Sequence, residues 1–413
     1  MEVRPGYKQT EVGVIPEDWL NPQLQQVAEH DSPICYGIVQ VGPFTPNGIP
    51  VLAIKNLNLD YSSNIHHAST EVERPYVRSR IQPEDVVVSV KGTTGRVGIV
   101  PDHFRGNISR DLARIRPRAE IAPRFIYQIL QSELAQRRLA SAAVGTTRME
   151  LSIAILKQVC VPLPPTKAEQ EAIAEALNDA DALVESLEDL LAKKRQLKQG
   201  AMQELLTGKK RLPGFSGEWE VKRLGELAEI RSGGTPSTTQ SEFWDGDVLW
   251  CTPTDITGLN GFKYLSDTSR KISQPGLKSS SAEIIPANSV VMTSRATIGE
   301  CAINQVPVST NQGFKNFTPF ENVDAEFLYY LLLTQKQGFI SLCGGSTFLE
   351  IGKTQLAAFE VRVPTTKAEQ TTIATILSNI DAGIAALEEK LAKTRQIKQG
   401  MMQELLTGRI RLV

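Results

Sequence analysis

A duplicated segment constrains this chain more than any other feature of its sequence. Residues 166–212 and 366–412 align without a gap, and roughly 29 of about 47 aligned positions are identical. The stretches that precede the two copies agree in pattern but share few letters. A period of about 200 residues excludes a solenoid, whose units are about 20–50 residues long. The sequence therefore predicts the order variable, constant, variable, constant.

Each constant segment has the pattern of one long helix. Its apolar residues recur at alternating spacings of four and three, the heptad pattern of a helix that packs along another helix. Thr166 and Thr366 are suited to cap the helix starts, and Glu169 and Glu369 would complete capping boxes. From cap to cap each helix would span about 40 residues, or ~60 Å. The seam positions are Ile173, Leu177, Ala180, Val184, Leu187 and Leu191 in the first copy, and Ile373, Leu377, Ile380, Ile384, Leu387 and Leu391 in the second.

The domain organisation follows from this repeat. The simplest way to bury both apolar seams is to pair the two helices with each other, which predicts a pseudo-two-fold arrangement. We expect a first variable domain at residues 1–163, a central helical region at 164–213, a second variable domain at 214–363 and a C-terminal helical region at 364–413. Both variable domains have short strand-like runs punctuated by glycine and proline, typical of a mixed α/β domain.

Basic residues cluster in the first variable domain. Arginine at alternating positions places several cations on one face of a strand, which suits phosphate contact, while polar loop residues suit base edges. The alternative is a solvated strand face held by salt bridges. The candidate DNA contacts in this domain are Arg74, Arg78, Arg80, Lys91, Thr93, Thr94, Arg96, Asn107, Arg110 and Arg148.

The second variable domain is net acidic by about four charges, which weakens a general electrostatic argument for nucleic-acid binding there. Its polar loops are nevertheless suited to base contacts. The candidates are Ser232, Thr235, Thr293, Ser294, Arg295, Asn311, Gln312, Lys315, Ser346 and Thr347.

The sequence offers no catalytic constellation. It contains no phosphate-binding loop of the G-x-x-x-x-G-K-[ST] type, and the glycine-rich GTTGRVG at 92–98 predicts a hairpin turn instead. All four histidines lie in the first half, so a repeated site would lack its usual metal ligand or proton carrier. We therefore expect a non-catalytic protein with no metal site. Trp19 and Trp219, at equivalent places in the repeat, are expected to anchor the core.

Composition bounds the setting in which such a chain would work. The 413 residues carry 45 Lys and Arg against 46 Asp and Glu, which excludes a grossly basic coat protein but not nucleic-acid binding. The five cysteines are scattered, as is typical of a reducing compartment. No apolar run approaches the ~20 residues of a membrane helix, and the N-terminus has no secretory signal pattern. We therefore expect a cytoplasmic protein that does not enter a membrane.

Several of these features together resemble a known family. The duplicated P-[PT]-T-K-A-E-Q segment, the heptad run and the KQG-x-MQELLTG ending are similar to the conserved regions of type I restriction–modification specificity subunits. GVIPEDW near the start and GEWEVKRLGELAEIRSGGTP in the middle resemble the entries to that family's two target-recognition domains. The resemblance covers essentially the whole chain.

The resemblance implies a fold and a function. The fold would be α+β, with two mixed α/β target-recognition domains separated by a long antiparallel pair of coiled-coil helices. Each target-recognition domain would bind one half of a split double-stranded DNA sequence. The helices would set the spacing between the halves and dock two modification (methyltransferase) subunits. Those subunits would use S-adenosylmethionine, separate restriction (translocase and nuclease) subunits would use ATP and Mg, and this chain would hold no cofactor.

Two other functions stay open at this stage. One is a scaffold whose paired helices join other proteins without reading DNA. The other is an enzyme, such as a nuclease with an unrecognised site, although the sequence supplies little support for one. Sequence-indifferent assembly would favour the first, and metal-dependent cleavage by the isolated chain would favour the second.

Overall fold

The computed structural model describes residues 4–57, 61, 64–145, 149–343 and 350–412. Within these residues the chain forms two compact units. Unit 1 comprises residues 1–188 and 389–413, and unit 2 comprises residues 189–388. The expected mixture of helices and strands is confirmed.

Unit 1 contains short strands, short helices and the first part of a long helix. Its strands are β1 (Tyr7–Thr10), β2 (Gly13–Pro16), β3 (Cys35–Tyr36), β4 (Ile49–Leu52), β5 (His66–Ala68), β6 (Val86–Ser89), β7 (Lys91–Gly92), β8 (Val97–Ile99), β9 (Asn107–Ile108), β10 (Leu112–Ile115) and β11 (Met149–Glu150). Its helices are α1 (Leu24–Val27), α2 (Thr70–Glu73), α3 (Pro123–Gln131), α4 (Glu133–Ala142), α5 (Ile153–Gln158) and the start of α6 (Lys167–Leu205), with 3₁₀ turns at Ile54–Asn56 and Arg74–Ser79.

Unit 2 repeats this plan. Its strands are β12 (Glu220–Arg223), β13 (Ala228–Ser232), β14 (Trp244–Cys251), β15 (Tyr264–Leu265), β16 (Arg270–Ile272), β17 (Val290–Thr293), β18 (Cys301–Asn304), β19 (Ser309–Thr310), β20 (Phe314–Pro319) and β21 (Glu360–Val363). Its helices are α7 (Leu224–Leu227), α8 (Pro253–Gly258), α9 (Gln274–Lys278), α10 (Ala325–Thr334), α11 (Lys336–Ser341), α12 (Lys353–Ala357) and the start of α13 (Lys367–Leu405), with a 3₁₀ turn at Ser241–Phe243.

The central strand pairings recur in both units, although the β15–β18 pair occurs in unit 2 alone and the β1–β2 pair in unit 1 alone among the described residues. Unit 1 has a sheet in the order β3-β10-β6-β8 and a second in the order β5-β4-β9. Unit 2 has the corresponding orders β13-β20-β17-β18-β15 and β16-β14-β19. The central strands β6 and β17, VVVS and VVMT, are buried along their whole length, because their β-branched and apolar side chains fit a sheet covered on both faces.

The core of each unit extends from its sheet to the long helices. In unit 1, Ile173 and Leu177 of α6 and Leu405 of α13 join the cluster built around the β6 sheet and α3. In unit 2, Ile373 and Leu377 of α13 and Leu205 of α6 occupy the equivalent positions against the β17 sheet and α10. All twelve seam positions are buried or half-buried. Trp19 and Trp219 are buried in their cores, as expected.

Segments of the two long helices run antiparallel within each unit. In unit 1, Glu188 pairs with Arg395 and Asp181 with Lys398, so positions that descend in α6 meet positions that ascend in α13. In unit 2, Arg195 pairs with Glu388 at 2.6 Å and Lys198 with Asp381 at 2.7 Å. These ion pairs occupy equivalent positions of the repeat.

The helix starts differ from expectation in one respect. Thr166 and Thr366 do accept the backbone N–H of the residue three positions on, at 3.3 and 3.4 Å. Glu169 and Glu369, however, do not complete capping boxes. Glu369 accepts hydrogen bonds from Arg211 at 2.8 and 2.9 Å, and Glu169 is bound in the same way by Arg411. A buried carboxylate gains more from a bidentate guanidinium than from one backbone amide.

No helix among the described residues combines the length and the apolar character that crossing a bilayer requires.

Candidate nucleic-acid interface

Both units contain the same tight turn after their central buried strand. In unit 1, the Ser89 hydroxyl donates to the carbonyl of Thr93 at 2.5 Å and accepts from the backbone N–H of Arg96 at 2.8 Å. In unit 2, the Thr293 hydroxyl donates to the carbonyl of Thr297 and accepts from the backbone N–H of Glu300 at 3.1 Å. We name residues 90–96 and 294–300 the recognition turns.

The backbone of the recognition turns requires glycine. Gly95 has φ +86° and Gly299 has φ +83°, in the left-handed region that side chains with a Cβ disfavour. Each donates its N–H to the carbonyl of the strand residue that precedes the turn, at 2.9 Å. The hairpin turn predicted at 92–98 is thus confirmed, and it recurs in unit 2 where the letters differ.

A cation and a glutamate lie beside each recognition turn. Lys91 Nζ is 2.9 Å from Glu150, and Arg295 Nε is 2.9 Å from Glu350. All four side chains remain more than one third exposed, so solvent or a ligand can reach them. The glutamates precede apolar segments at positions that differ by 200 in the sequence, a signal by which the repeat could have identified them. Arg148, Ser346 and Thr347 lie outside the described residues.

The other side chains of the recognition turns differ between the units. The backbone hydrogen bonds align Arg96 with Glu300, and Thr94 with Ile298. Arg96 is exposed, whereas Glu300 pairs with Lys336 at 2.5 Å. One backbone geometry therefore carries an exposed arginine in unit 1 and an ion-paired glutamate in unit 2, a difference that suits contacts with two different sequences.

The remaining unit 1 candidates divide by burial. Arg74, Arg78 and Arg110 are exposed. Arg80 donates two hydrogen bonds to the buried Glu73 at 2.6 and 2.7 Å, and these bonds lower the pKa of Glu73.

Asn107 differs from the other described unit 1 candidates because it is fully buried. Its amide donates to Glu73 at 3.0 Å and its carbonyl accepts from Ser79 at 2.7 Å. Asn107 therefore stabilises the fold in this structure and presents no group to a base.

The unit 2 candidates gather at one end of the five-stranded sheet. Strand β13 ends at Ser232, whose register partner is Lys315, and β17 ends at Thr293, whose partner is Phe314. Thr235 donates a hydrogen bond to Gln312 across the adjacent loops. Exposed or half-exposed members of this group are Ser232, Thr235, Arg295, Asn311 and Gln312.

Three of the unit 2 candidates are buried. Thr293 holds the recognition turn, Ser294 is inaccessible to solvent, and Lys315 is 5% exposed with its Nζ 4.0 Å from Glu350. Burial lowers the pKa of Lys315. Their side chains face the protein interior, so they position the loops and present no group to a base edge in this structure.

Arg270 is a candidate that the sequence did not indicate. Its guanidinium lies 3.9 Å from the ring centroid of Trp244 and 5.3 Å from that of Trp250. Trp250 donates its indole N–H to the carbonyl of Gly234, beside Thr235. Among the described residues no carboxylate lies within 4 Å of Arg270, so cation–π contacts hold an exposed guanidinium whose N–H groups are available to a ligand. The pairing of β14 with β16 brings Arg270 beside the two tryptophans, and no local sequence pattern predicts this contact.

No group of three or more His, Cys, Asp or Glu side chains in the described part of the chain could hold a metal ion.

Comparison with known proteins defines the class. The model of the type I restriction modification DNA specificity domain matches residues 43–196 and, separately, 216–399. The chain belongs to this family, and the resemblance noted in the sequence is confirmed.

Several individual relatives are named as specificity subunits. The MjaIX specificity subunit of Methanocaldococcus jannaschii is 37% identical over 190 residues, which cover 46% of this chain and 43% of that protein. The EcoBI specificity subunit of Escherichia coli is 30% identical over 47% of this chain and 42% of its own length. These alignments thus span less than half of either relative. The putative MjaX specificity subunit of M. jannaschii is 23% identical over 98% of this chain and 97% of its own.

Solved structures support the fold. The S subunit of a type I restriction–modification system from M. genitalium matches with a TM-score of 0.61 and 16% identity, over 98% of both chains. A chain from a type I restriction–modification assembly matches with a TM-score of 0.56 and 18% identity, over 96% of this chain and 99% of that one.

Proposed function

We propose that this chain is the sequence-specific DNA-recognition subunit of a type I restriction–modification complex. Each variable domain would bind one half of a bipartite double-stranded target. The observation that carries the proposal is that each half of the chain matches the DNA specificity domain separately, while the two recognition turns share a backbone and differ in charge. A shared scaffold positions the contacts, and different side chains specify different bases.

The contacts with base edges would come from the exposed residues of each recognition turn and its neighbours. In unit 1 these are Lys91, Thr93, Thr94 and Arg96, and in unit 2 they are Arg295, Gln312 and Arg270. Arginine and lysine are the usual partners of guanine in the major groove. Arg74 and Arg110 would contribute phosphate contacts.

The long helices would serve the assembly. They would form one antiparallel coiled-coil pair with pseudo-two-fold symmetry, set the length of the unread spacer and dock two modification subunits. The ion pairs at repeated positions support this proposal, because two copies of one partner need two equivalent surfaces. The boundaries that we propose are 1–163 and 214–363 for the target-recognition domains, and 164–213 and 364–413 for the helical regions.

The chemistry would belong to the partners. Modification subunits would hold S-adenosylmethionine, restriction subunits would hold ATP and Mg, and this chain would be non-catalytic. Because the substrate is chromosomal or invading DNA, the complex would work in the cytoplasm.

Mapping of methylated bases in cells with and without this gene tests the proposal. We expect one bipartite methylated motif that disappears on deletion and returns when the gene is restored. A methylation pattern that is unchanged by the deletion would contradict the proposal.

A further inference from the structure

A cleft of about 830 Å³ in unit 1 is lined by several cations. Five arginines contribute to its wall: Arg78, Arg80, Arg105, Arg114 and Arg116. They come from the 3₁₀ turn Arg74–Ser79 and its flank, from the loop before β9, and from β10 and its end. The acidic residue of the lining is Asp31, whose side chain is fully exposed.

Two of the five arginines are neutralised and three are not. Arg80 is paired with Glu73 at 2.6 Å and Arg116 with Asp85 at 2.7 Å. Within the described residues, no carboxylate lies within 4 Å of Arg78, Arg105 or Arg114. The cleft therefore carries an excess of positive charge.

Arg114 is the strongest indication of an anion site, because it is a buried cation without a counter-ion among the described residues. It is 2% exposed. Its Nη atoms donate to the backbone carbonyls of Arg80 and Pro33 at 3.4 and 3.1 Å, and its Nε has no hydrogen-bond partner. Burial lowers the pKa of Arg114 because desolvation disfavours the charged form. Burying a cation costs free energy, and an anion that pairs with it would offset part of that cost.

The neighbouring acidic groups do not supply that compensation. Burial raises the pKa of the Cys35 thiol, which interacts with Arg114, so the thiol is not its counter-ion. Asp85 is one of two carboxylates whose charge reaches Arg114, but Arg116 binds both of its oxygens, at 2.8 and 2.7 Å. Glu29, the other, makes no ion pair with Arg114. Arg114 lines the open cleft, and no carboxylate in the described part of the chain pairs with it, so an anion in the cleft would compensate its charge.

Unit 2 has no equivalent of this cation. Arg114 pairs with Val87 in the β10–β6 ladder, and the corresponding partner of Val291 in the β20–β17 ladder is Asn316. The arginine cleft is thus a property that distinguishes unit 1 from unit 2, and the shared scaffold does not require it.

We propose that the arginine cleft is a phosphate-binding site, in which Arg78, Arg105 and Arg114 contact the anion. Guanidinium groups match the geometry of phosphate oxygens and can bind them in pairs. The phosphate has two possible sources, the backbone of the DNA half-site or a free phosphate ester. The first source rests on the proposed DNA-recognition function, and the second does not.

Calorimetric titration of the full-length chain with inorganic pyrophosphate at low salt tests the site. The test variants are Arg114→Met and the double variant Arg78→Ala/Arg105→Ala. The control is Arg118→Ala, which removes an exposed arginine paired with Glu120 at 3.2 Å and outside the cleft. We expect the wild type and the control to bind alike, and both test variants to bind at least about tenfold more weakly. If Arg114→Met fails to fold, the double variant at the rim decides.

Titration with a short duplex that carries the mapped motif separates the two sources. If the phosphate belongs to DNA, pyrophosphate competes with the duplex, and the double variant lowers the slope of log K against log salt by about 1.8 for two lost contacts. If it is a free ester, the double variant loses pyrophosphate binding and keeps its DNA affinity and salt slope.

The inference would be overturned by two results together. The first is that the wild type and the double variant bind pyrophosphate equally well, or that neither binds it. The second is that the two proteins have the same salt slope for DNA binding. A wild type that binds no DNA motif selectively, even in complex with modification subunits, would defeat the proposed function alone, because the pyrophosphate titration still decides the cleft.

Discussion

Single glutamates tie the end of one long helix to the start of the other within each unit. Glu369 is 2% exposed and accepts two hydrogen bonds from Arg211 and one, at 3.3 Å, from the indole N–H of Trp219. These partners lie 158 and 150 positions away in the sequence. A buried carboxylate contributes to stability only while its cation is present, because removing the cation leaves an uncompensated charge.

Replacing Arg211→Met should therefore destabilise unit 2 markedly. The expected loss is about 3 kcal/mol, the lower end for a broken buried pair, because 28% of the Arg211 side chain is exposed. Arg195→Met is the matched control, since its exposed pair with Glu388 should contribute less than about 1 kcal/mol. Urea unfolding followed by tryptophan fluorescence measures both, since Trp219, Trp244 and Trp250 all lie in unit 2. Similar losses of unfolding free energy in both variants would show that the buried pair contributes no more to stability than the exposed one.

The cations beside the recognition turns provide a second test at this scale. Lys91→Ala should weaken binding and relax specificity at one half-site, and Arg295→Ala should do so at the other. The expected cost is about 1–3 kcal/mol for each lost base contact. Selection of each variant, in complex with modification subunits, against libraries randomised in one half-site at a time measures the effect. Loss of affinity that is uniform across all sequences in both libraries would identify phosphate contacts instead.

At the scale of elements, local sequence fixes the long helices and the turns. The heptad spacing and the threonine caps were sufficient to predict α6 and α13, because both signals act within a few residues. The GTTGRVG turn was predictable for the same reason.

Contacts between residues distant in sequence were not predictable in this way. Glu169 was expected to cap its own helix, and it binds Arg411, 242 positions away. The arginine cleft likewise depends on strand pairing that brings together residues from 31 to 116. Several candidates chosen for polarity, among them Asn107 and Ser294, are buried, because polarity alone does not distinguish a loop tip from a hydrogen-bonded core position.

Replacing Gly200 within α6 or Gly208 just after it by alanine should change the stability of unit 2 in opposite directions. Gly200 lies within the helix and a Cβ there would contact nothing within 4 Å, so Gly200→Ala should stabilise unit 2 by up to about 1 kcal/mol. Gly208 has φ +69°, and a Cβ would lie 3.1 Å from Trp219, so Gly208→Ala should destabilise unit 2 by about 1–2 kcal/mol. Shifts of the urea midpoint in the same direction would contradict this account of the helix end.

At the scale of the whole molecule, one plan is used twice. The constant segments are identical at most positions, whereas the variable segments share their central strand pairings and differ in their exposed side chains. This pattern is expected if the helices serve a partner that is the same for both halves and the variable domains serve targets that are not. The arginine cleft occurs in unit 1, and the position equivalent to Arg114 in unit 2 is Asn316, so the two units also differ in buried charge.

Methylation mapping of a chimera tests the central claim most directly. In the chimera, residues 214–363 are replaced by the corresponding domain of another family member with a known motif, and the helices and residues 1–163 are unchanged. The account predicts a methylated motif in which one half changes to that of the donor, while the other half and the spacer length are retained. A motif in which both halves change, or in which neither does although the chimera is active, would contradict it.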